Sequence, residues 1–475
     1  MRILRFFLIV IGISSFFASK LMATGSSAQE SLKPRLVVLT DLAPGDVEPD
    51  DMESIVRMLV HADLYEIEAI ITTSGWNSSE KLYPESWRDI LMTEIAAYEK
   101  DLPNLMKRSG QSGFLPAEQE EGKQSIGYWP SADYLRNRAK MGSLDFGREK
   151  LGEGNDSDGS ELIIRLLKES DERPIWFGLW GGGNTLAQAL WRINNEWDEA
   201  AVKACLEKIY VYAITDQDVP IGNNKDFAFS SHQWMRETFG DRLHFIWDES
   251  AWLSQNTIGR DHWEEYATHI QGHGHLGQIY PKFKYGVEGD TPSFLHLMPN
   301  GLNDPTQPGQ VGWAGYFEWV TTRDQKTACY TNSSPDIKEI SRKYEAYFYP
   351  AAFSNFAARM EWAESGQGNR NPVVVVNGDQ GLEPDLLEAS CGETVSFDAS
   401  GSYDPDGDAL DFRWWILPEA GTYKGDVDII GAESSAAKIV MPESAAGQTI
   451  HLICEVTDQG HFNLKSYRRI VITCR

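Results

Sequence analysis

A chain of 475 residues exceeds one ordinary core, and its 41% hydrophobic and 24% charged content is that of globular protein, which excludes wholesale disorder. Its 43 Lys and Arg against 70 Asp and Glu leave a net charge of −27. Such a surface repels phosphate backbones, arguing against nucleic acid as a partner, and favours neutral ligands or cations.

At the start, Arg2 and Arg5 precede the apolar run from Phe6 to Ala18, the pattern of a signal peptide over residues 1–28. Cleavage is expected near Ser26-Ser27-Ala28, or else near Ala23. The run is short for a bilayer, and no later stretch has the length and apolarity of a membrane helix. The mature protein is thus expected to be soluble, secreted or periplasmic, without a membrane span.

From Arg35 to about Trp362, buried-type apolar runs alternate with segments of helical spacing. Strands are expected at Arg35 to Asp41, Ile67 to Thr73, Pro174 to Trp180, Lys208 to Ile214 and Leu243 to Trp247. Helices are expected at Asp51 to Ala62, Pro84 to Tyr98, Asn184 to Ile193 and Ser231 to Phe239. This alternation predicts a mostly parallel sheet with flanking helices. Two Gly-rich stretches, Gly110 to Gly159 and Gly272 to Gly315, read as loops, which in such folds gather at the carboxyl edge of the sheet. Gly366 to Pro372 reads as a linker. Beyond it short strands with turn signals, beginning at Val373, Glu393, Asp411, Ala437, Ile450 and Ser466, predict an all-β sandwich. The domains are therefore placed at 33–365 and 372–475. Of five cysteines, Cys391 is expected to pair with Cys454 or Cys474.

Thr40 to Asp51 carries the most chemistry. Asp41 closes a strand, Asp46 and Glu48 lie on the connection, and Asp50 and Asp51 open a helix. Five carboxylates so close repel one another unless a cation sits among them, and an all-oxygen ligand set selects Ca²⁺ or Mg²⁺ over zinc. The plainer reading is an N-cap at Asp50 with a solvated acidic loop. Three further polar motifs end strands or precede an apolar run: Thr72-Thr-Ser-Gly-Trp-Asn77, Trp180-Gly-Gly-Gly-Asn184 and Glu288-Gly-Asp290. Trp76, Trp180, Trp313 and Trp319 neighbour these motifs or the long loop after Asp290, as core residues or as stacking surfaces for a sugar. His273 and His275 on a Gly-flexed loop are candidate leaving-group acids, since an unperturbed His titrates near about 6.5. Asp216, Asp218 and Asn224 follow a strand and offer groups for sugar hydroxyls.

These motifs, in this order, resemble the nucleoside hydrolase superfamily. More closely, the chain is similar to exported nucleoside-hydrolase-like proteins catalogued as a domain of unknown function, some described as cellulose-binding. The resemblance implies Ca²⁺ held by Asp51 and Asp290, with Asp41 in the cluster and Asp46 or Glu48 supplying a further carboxylate. It also implies Asp50 as the general base toward an attacking water, and Asn77 on sugar hydroxyls. Trp76 and Asn184 lie in the same motifs and join the substrate-binding set. Two departures matter: Ala43 stands where the hydrolases carry a second Asp, and Gly289 where they place a His. The segment Asp398 to Asp408 resembles the turn of polycystic-kidney-disease-type β-sandwiches, either as a structural Asx-turn or as an alternating calcium loop. Together these readings predict an exported Ca²⁺-dependent hydrolase of N- or O-glycosidic bonds acting on a carbohydrate or glycoside. The alternative is a non-catalytic carbohydrate-binding protein on the same fold.

Overall fold

The fully buried run Arg35–Thr40 forms the central strand β1 of an eight-stranded sheet. The computed structural model describes residues 31–42, 48–75, 84–215, 229–322 and 326–475; the expected signal segment 1–28 lies outside them. The other strands are β2 (Glu66–Thr72), β3 (Ala139–Met141), β4 (Ile175–Leu179), β5 (Ile209–Ile214), β6 (His244–Asp248), β7 (Glu318–Thr321) and β8 (Ala328–Thr331). Their spatial order is β3-β2-β1-β4-β5-β6-β8-β7, and every neighbouring pair is parallel except β7 with β8. The chain winds outward from β1 in one direction through β2 and β3, and in the other through β4, β5 and β6. Connections leaving β1 and β4 diverge, opening a crevice at the carboxyl ends of these two strands.

Side chains of β1 alternate between two cores, as the pleat requires. Leu36 and Val38 face helices α1 (Pro49–Leu59) and α2 (Pro84–Ser109) and the long helix Pro335–Ser365. Val37 and Leu39 face the helices Asp158–Leu167 and Asn184–Glu196.

The elements depart from expectation where local pattern is weak. Helix α2 runs through Pro103 to Ser109, because Leu102 and Leu105 stay buried in the core on its far side. The stretch Gly110 to Gly159 holds the short helices Ala117–Glu120 and Ala132–Arg138 and the strand β3. The edge strand β7 and its neighbour β8, each only partly buried, give no buried run to read.

Beyond Gly366, which ends the long helix in the left-handed conformation at φ 65°, the chain forms two antiparallel-rich sheets. One contains β10 (Thr394–Asp398), β13 (Ala436–Val440) and β12 (Ile429–Ile430). The other orders β11 (Leu410–Ile416), β14 (Thr449–Asp458), β15 (Lys465–Cys474) and β9 (Asp385–Ala389). Val373 to Val376 is not a strand and makes only two isolated bridges, to Tyr403 and Asp379. Phe397, Trp414, Ile439, Leu452 and Ile470 fill the space between the sheets. Cys391 bonds Cys474, and Cys454 remains a buried thiol.

Residues 32–475 form a single compact unit, so the sandwich is fastened to the α/β part rather than strung from it. The fully buried Arg469 of β15 is the main fastening. Its guanidinium donates to the carbonyls of Leu302, Gln310 (2.6 Å) and Val311 (3.1 Å) across the junction. Phe348 of the long helix packs against Tyr467 and Trp415 beside it. Arg469→Ala should lower stability by about 3 kcal/mol or more, since hydrogen bonds to a charged group are each worth about 1.5–3 kcal/mol. Urea unfolding should then split into two transitions; an unchanged single transition would deny Arg469 this role.

Candidate functional site

Backbone hydrogen bonds knit the ends of three strands into the floor of the crevice. Thr73 donates to Thr40 (2.8 Å), Trp180 to Leu39 (2.8 Å) and Gly182 to Ser74 (3.1 Å). The closeness explains the glycines after β4: a Cβ at Gly181 would lie 2.7 Å from the Asp41 nitrogen. Asp41 leaves β1 here, fully buried. Helix α1 then starts with Pro49 in its first turn, and Asp50 and Asp51 follow it. Free amide donors at a helix N-terminus favour carboxylates in this position.

Glu48, Asp50 and Asp51 each present an oxygen within 4.8 Å of the others. Asp51 accepts a hydrogen bond from the Thr40 hydroxyl. Asp290 arrives from the far end of the domain. Burial pushes its carboxyl well above the ordinary range, and the charges of Asp51, Asp50, Asp41 and Glu48 push it further. The same two causes raise Asp41 and Asp51, and hold Glu48 up at about 11. Asp50 is raised less, to about 6, by burial, because backbone amides and the Glu48 side chain donate to it. Asp41, Glu48, Asp50, Asp51 and Asp290 therefore share one water-poor space.

Their oxygens are incompletely satisfied. Both of Asp41, Oδ1 of Asp50 and Oδ2 of Asp290 are buried without a hydrogen-bond partner among the described residues. Uncompensated buried carboxylates are costly, and a hard divalent cation is the compensation that an all-oxygen donor set accepts. The residues present fit such an ion.

Asp290 is held by its surroundings. Its carbonyl accepts from the Ser293 hydroxyl (2.7 Å), which in turn accepts from the Trp180 indole (2.6 Å). Two residues earlier, Glu288 adopts a left-handed backbone at φ 57°, unusual for a non-glycine residue. It is locked there on both ends. Its amide donates to Glu53 (2.7 Å), and its buried carboxylate takes hydrogen bonds from Arg57, Tyr280 (3.0 Å) and Gln255 (3.2 Å). Gly289 between them faces Asp50 at close range. A Cβ there would lie 2.9 Å from Asp50 Oδ2 and 3.0 Å from Asn256 Oδ1. Asp50 and Asn256 thus occupy the space a larger residue at 289 would need.

Other expected site residues fall elsewhere. His273 pairs with Glu364 (2.7 Å) and Thr268, and His275 with Asp101 (2.8 Å), so both histidines fasten helices and neither has a partner in the cluster. The amide of Asn184 is engaged by Gly147, donating to its carbonyl and accepting from its N–H at 2.8 Å each. Trp180 and Trp313 are core residues. Asp46, Trp76, Asn77, Asp216, Asp218 and Asn224 lie outside the described residues. The acidic turn of the sandwich is an Asx-turn, with Asp404 Oδ1 accepting from the amides of Asp406 (2.7 Å) and Asp408 (3.2 Å).

Sequence reasoning missed Arg57, Asn256 and Glu94, and named Glu288 only as the start of its motif. Glu94 on α2 is fully buried with neither oxygen partnered among the described residues, and its charge contributes to raising Asp51. A carboxylate placed among the apolar spacings of a helix was the available signal.

A parallel sheet with a carboxylate crevice at its strand-order reversal defines a nucleoside-hydrolase-like α/β protein. The family model described as the nucleoside hydrolase-like domain of cellulose-binding Sde182 matches residues 35–317, and the chain belongs to this family. The C-terminal domain model of cellulose-binding protein Sde0182 matches residues 394–474. Among solved structures, the chain is similar to a nucleoside hydrolase-related hypothetical protein from Saccharophagus degradans that is associated with carbohydrate metabolism. The two share 34% identity at a TM-score of 0.78, covering 93% of this chain and 100% of that one. The PKD domain of the KIAA 1837 protein overlaps 23% of this chain and 90% of its own at 21% identity, but its TM-score of 0.16 carries no argument. No curated protein sequence matches the chain.

Arg57 neutralises Glu288 where both are buried, so Arg57→Met should cost about 3–5 kcal/mol by stranding a buried carboxylate. Adding Glu288→Gln should restore most of that loss in urea melts. Additive losses in the double variant would contradict the pairing.

Proposed function

We propose that the chain is an exported hydrolase of N- or O-glycosidic bonds, with Ca²⁺ held by Asp41, Asp51 and Asp290 and a further carboxylate from Glu48 or Asp46. The observation that carries this reading is the convergence of carboxylates from either end of the α/β part, with buried oxygens lacking partners among the described residues. Bound there, a divalent ion would orient vicinal hydroxyls of a sugar and make a neighbouring water more acidic.

The protein's own groups have separate tasks. Thr40 holds Asp51 by its hydroxyl, and the Trp180–Ser293 chain holds the backbone at Asp290, so neither carboxylate rotates freely. Asp50 Oδ1 accepts from no described neighbour, which supports a role for it in taking the proton of an attacking water. Departure of the aglycone, which takes its proton from solvent, passes through a transition state with oxocarbenium character on the glycosyl carbon, which the surrounding carboxylate charge stabilises.

A second reading is a glycan-binding protein without turnover. The family description as cellulose-binding and the Gly289 position favour it.

A panel of aryl glycosides and nucleosides separates the two. Sugar release should require Ca²⁺, stop with chelator, and fall by about 10²–10⁴-fold in Asp50→Asn while the fold persists. No turnover of any member by the wild-type protein would establish the binding reading. Thermal melts test the ion separately. In chelator, Asp290→Asn should melt above wild type, because one repelling carboxylate is gone, whereas added Ca²⁺ should raise only the wild-type melting temperature. Equal calcium shifts in both proteins would remove Asp290 from the ligand set.

A further inference from the structure

A ladder of rings crosses one face of the sheet away from the carboxylates. Trp176 on β4, Tyr210 on β5, His244 on β6, Tyr330 on β8 and Trp319 on β7 follow one another strand by strand. Their centroids are 5.0, 4.2, 5.2 and 5.2 Å apart. The ladder begins at the buried Trp176 and ends at Trp319, which is 41% exposed. Strand β7 is the edge of the sheet, and five strand spacings place it about 24 Å from β1. Trp319 therefore serves no part of the Asp50 site.

What Trp319 borders is a cleft of about 550 Å³ between the sheet edge and the sandwich. Tyr330 and Glu318 stand beside it, and Leu386 (79% exposed) and His451 line the sandwich wall. Both walls are pinned by one side chain. Arg469 donates to the Gln310 and Val311 carbonyls on one side and to His451 Nδ1 (2.9 Å) on the other. A guanidinium has no acceptor, so His451 Nδ1 accepts and its proton sits on Nε2, a hydrogen-bond donor. Glu318 is an acceptor braced by the Tyr316 hydroxyl (2.8 Å). A flat indole, a donor and a carboxylate in a rigid cleft of ligand size match a sugar with an apolar ring face and equatorial hydroxyls. Pre-set rings also lose little freedom on binding. The net charge of −27 turns away uronates and sulfated chains.

We infer that this junction cleft binds a neutral β-linked glucan segment, one pyranose ring stacked on Trp319. The inference rests on the carbohydrate part of the proposed function and is independent of hydrolysis.

Calorimetric titration of the mature full-length protein with cellohexaose tests it. Wild type should bind, and Trp319→Ala should weaken binding by about tenfold or more, the usual cost of removing a central Trp anchor. Aryl-glycoside turnover should be unaffected by this change. Leu386→Arg, on the exposed opposite wall, should weaken binding as much without disturbing the fold, and serves if Trp319→Ala proves unstable. No binding by wild type, wild-type affinity in folded Trp319→Ala or in Leu386→Arg, or preference for an oligogalacturonate would each overturn the proposal. Binding that survives when no glycoside is cleaved supports the cleft while refuting the hydrolase.

Discussion

Like charges cannot be packed away from water without a counterweight, and the α/β part of this protein is organised around that difficulty. Asp41, Glu48, Asp50, Asp51 and Asp290 raise one another's proton affinity because three chain segments deliver them to one crevice. The winding of the sheet creates the crevice, since chain leaving β1 and β4 turns opposite ways. Side chains that touch no ligand then hold the acids in place. Thr40 restrains Asp51, Trp180 and Ser293 restrain Asp290, and the Arg57–Glu288 pair fixes a strained backbone just before it. Stability is spent on geometry here.

Much of this was legible in the sequence because the signals were strong and local. The buried runs at β1, β2, β4 and β5 lack competing patterns, and an acidic cluster between a strand and a helix is unusual. The parallel sheet, the sandwich and the family resemblance follow from such features, and the family match agrees with them. What escaped notice depends on contacts between distant residues. Nothing near Arg57 announces that its partner lies 231 positions away at Glu288. His273 and His275 look catalytic on a flexible loop, yet Glu364 and Asp101 claim them once helices pack. Asn184 sits in the expected motif but fastens the loop at Gly147. Short edge strands such as β7 carry too few buried side chains to show a period.

The two parts of the chain meet through a buried cation and aromatic packing. Arg469, Phe348, Trp415 and Tyr467 make the junction continuous with both cores. A segment that reads as a flexible linker is consequently a fixed corner, with Asn369 inside it donating to both oxygens of Asp458 at 3.0 Å. The sandwich therefore presents its surface at a set angle to the sheet edge. This is why a cleft with two rigid walls exists there at all.

The contact between Gly289 and Asp50 also bears on how this lineage can change. Placing an imidazole at 289, as in the nucleoside hydrolases, sets its Cβ 2.9 Å from Asp50 Oδ2 and 3.0 Å from Asn256 Oδ1. A side chain at 289 therefore needs Asp50 or Asn256 to swing aside, and the Asp50 carboxylate and an imidazole at 289 compete for one space.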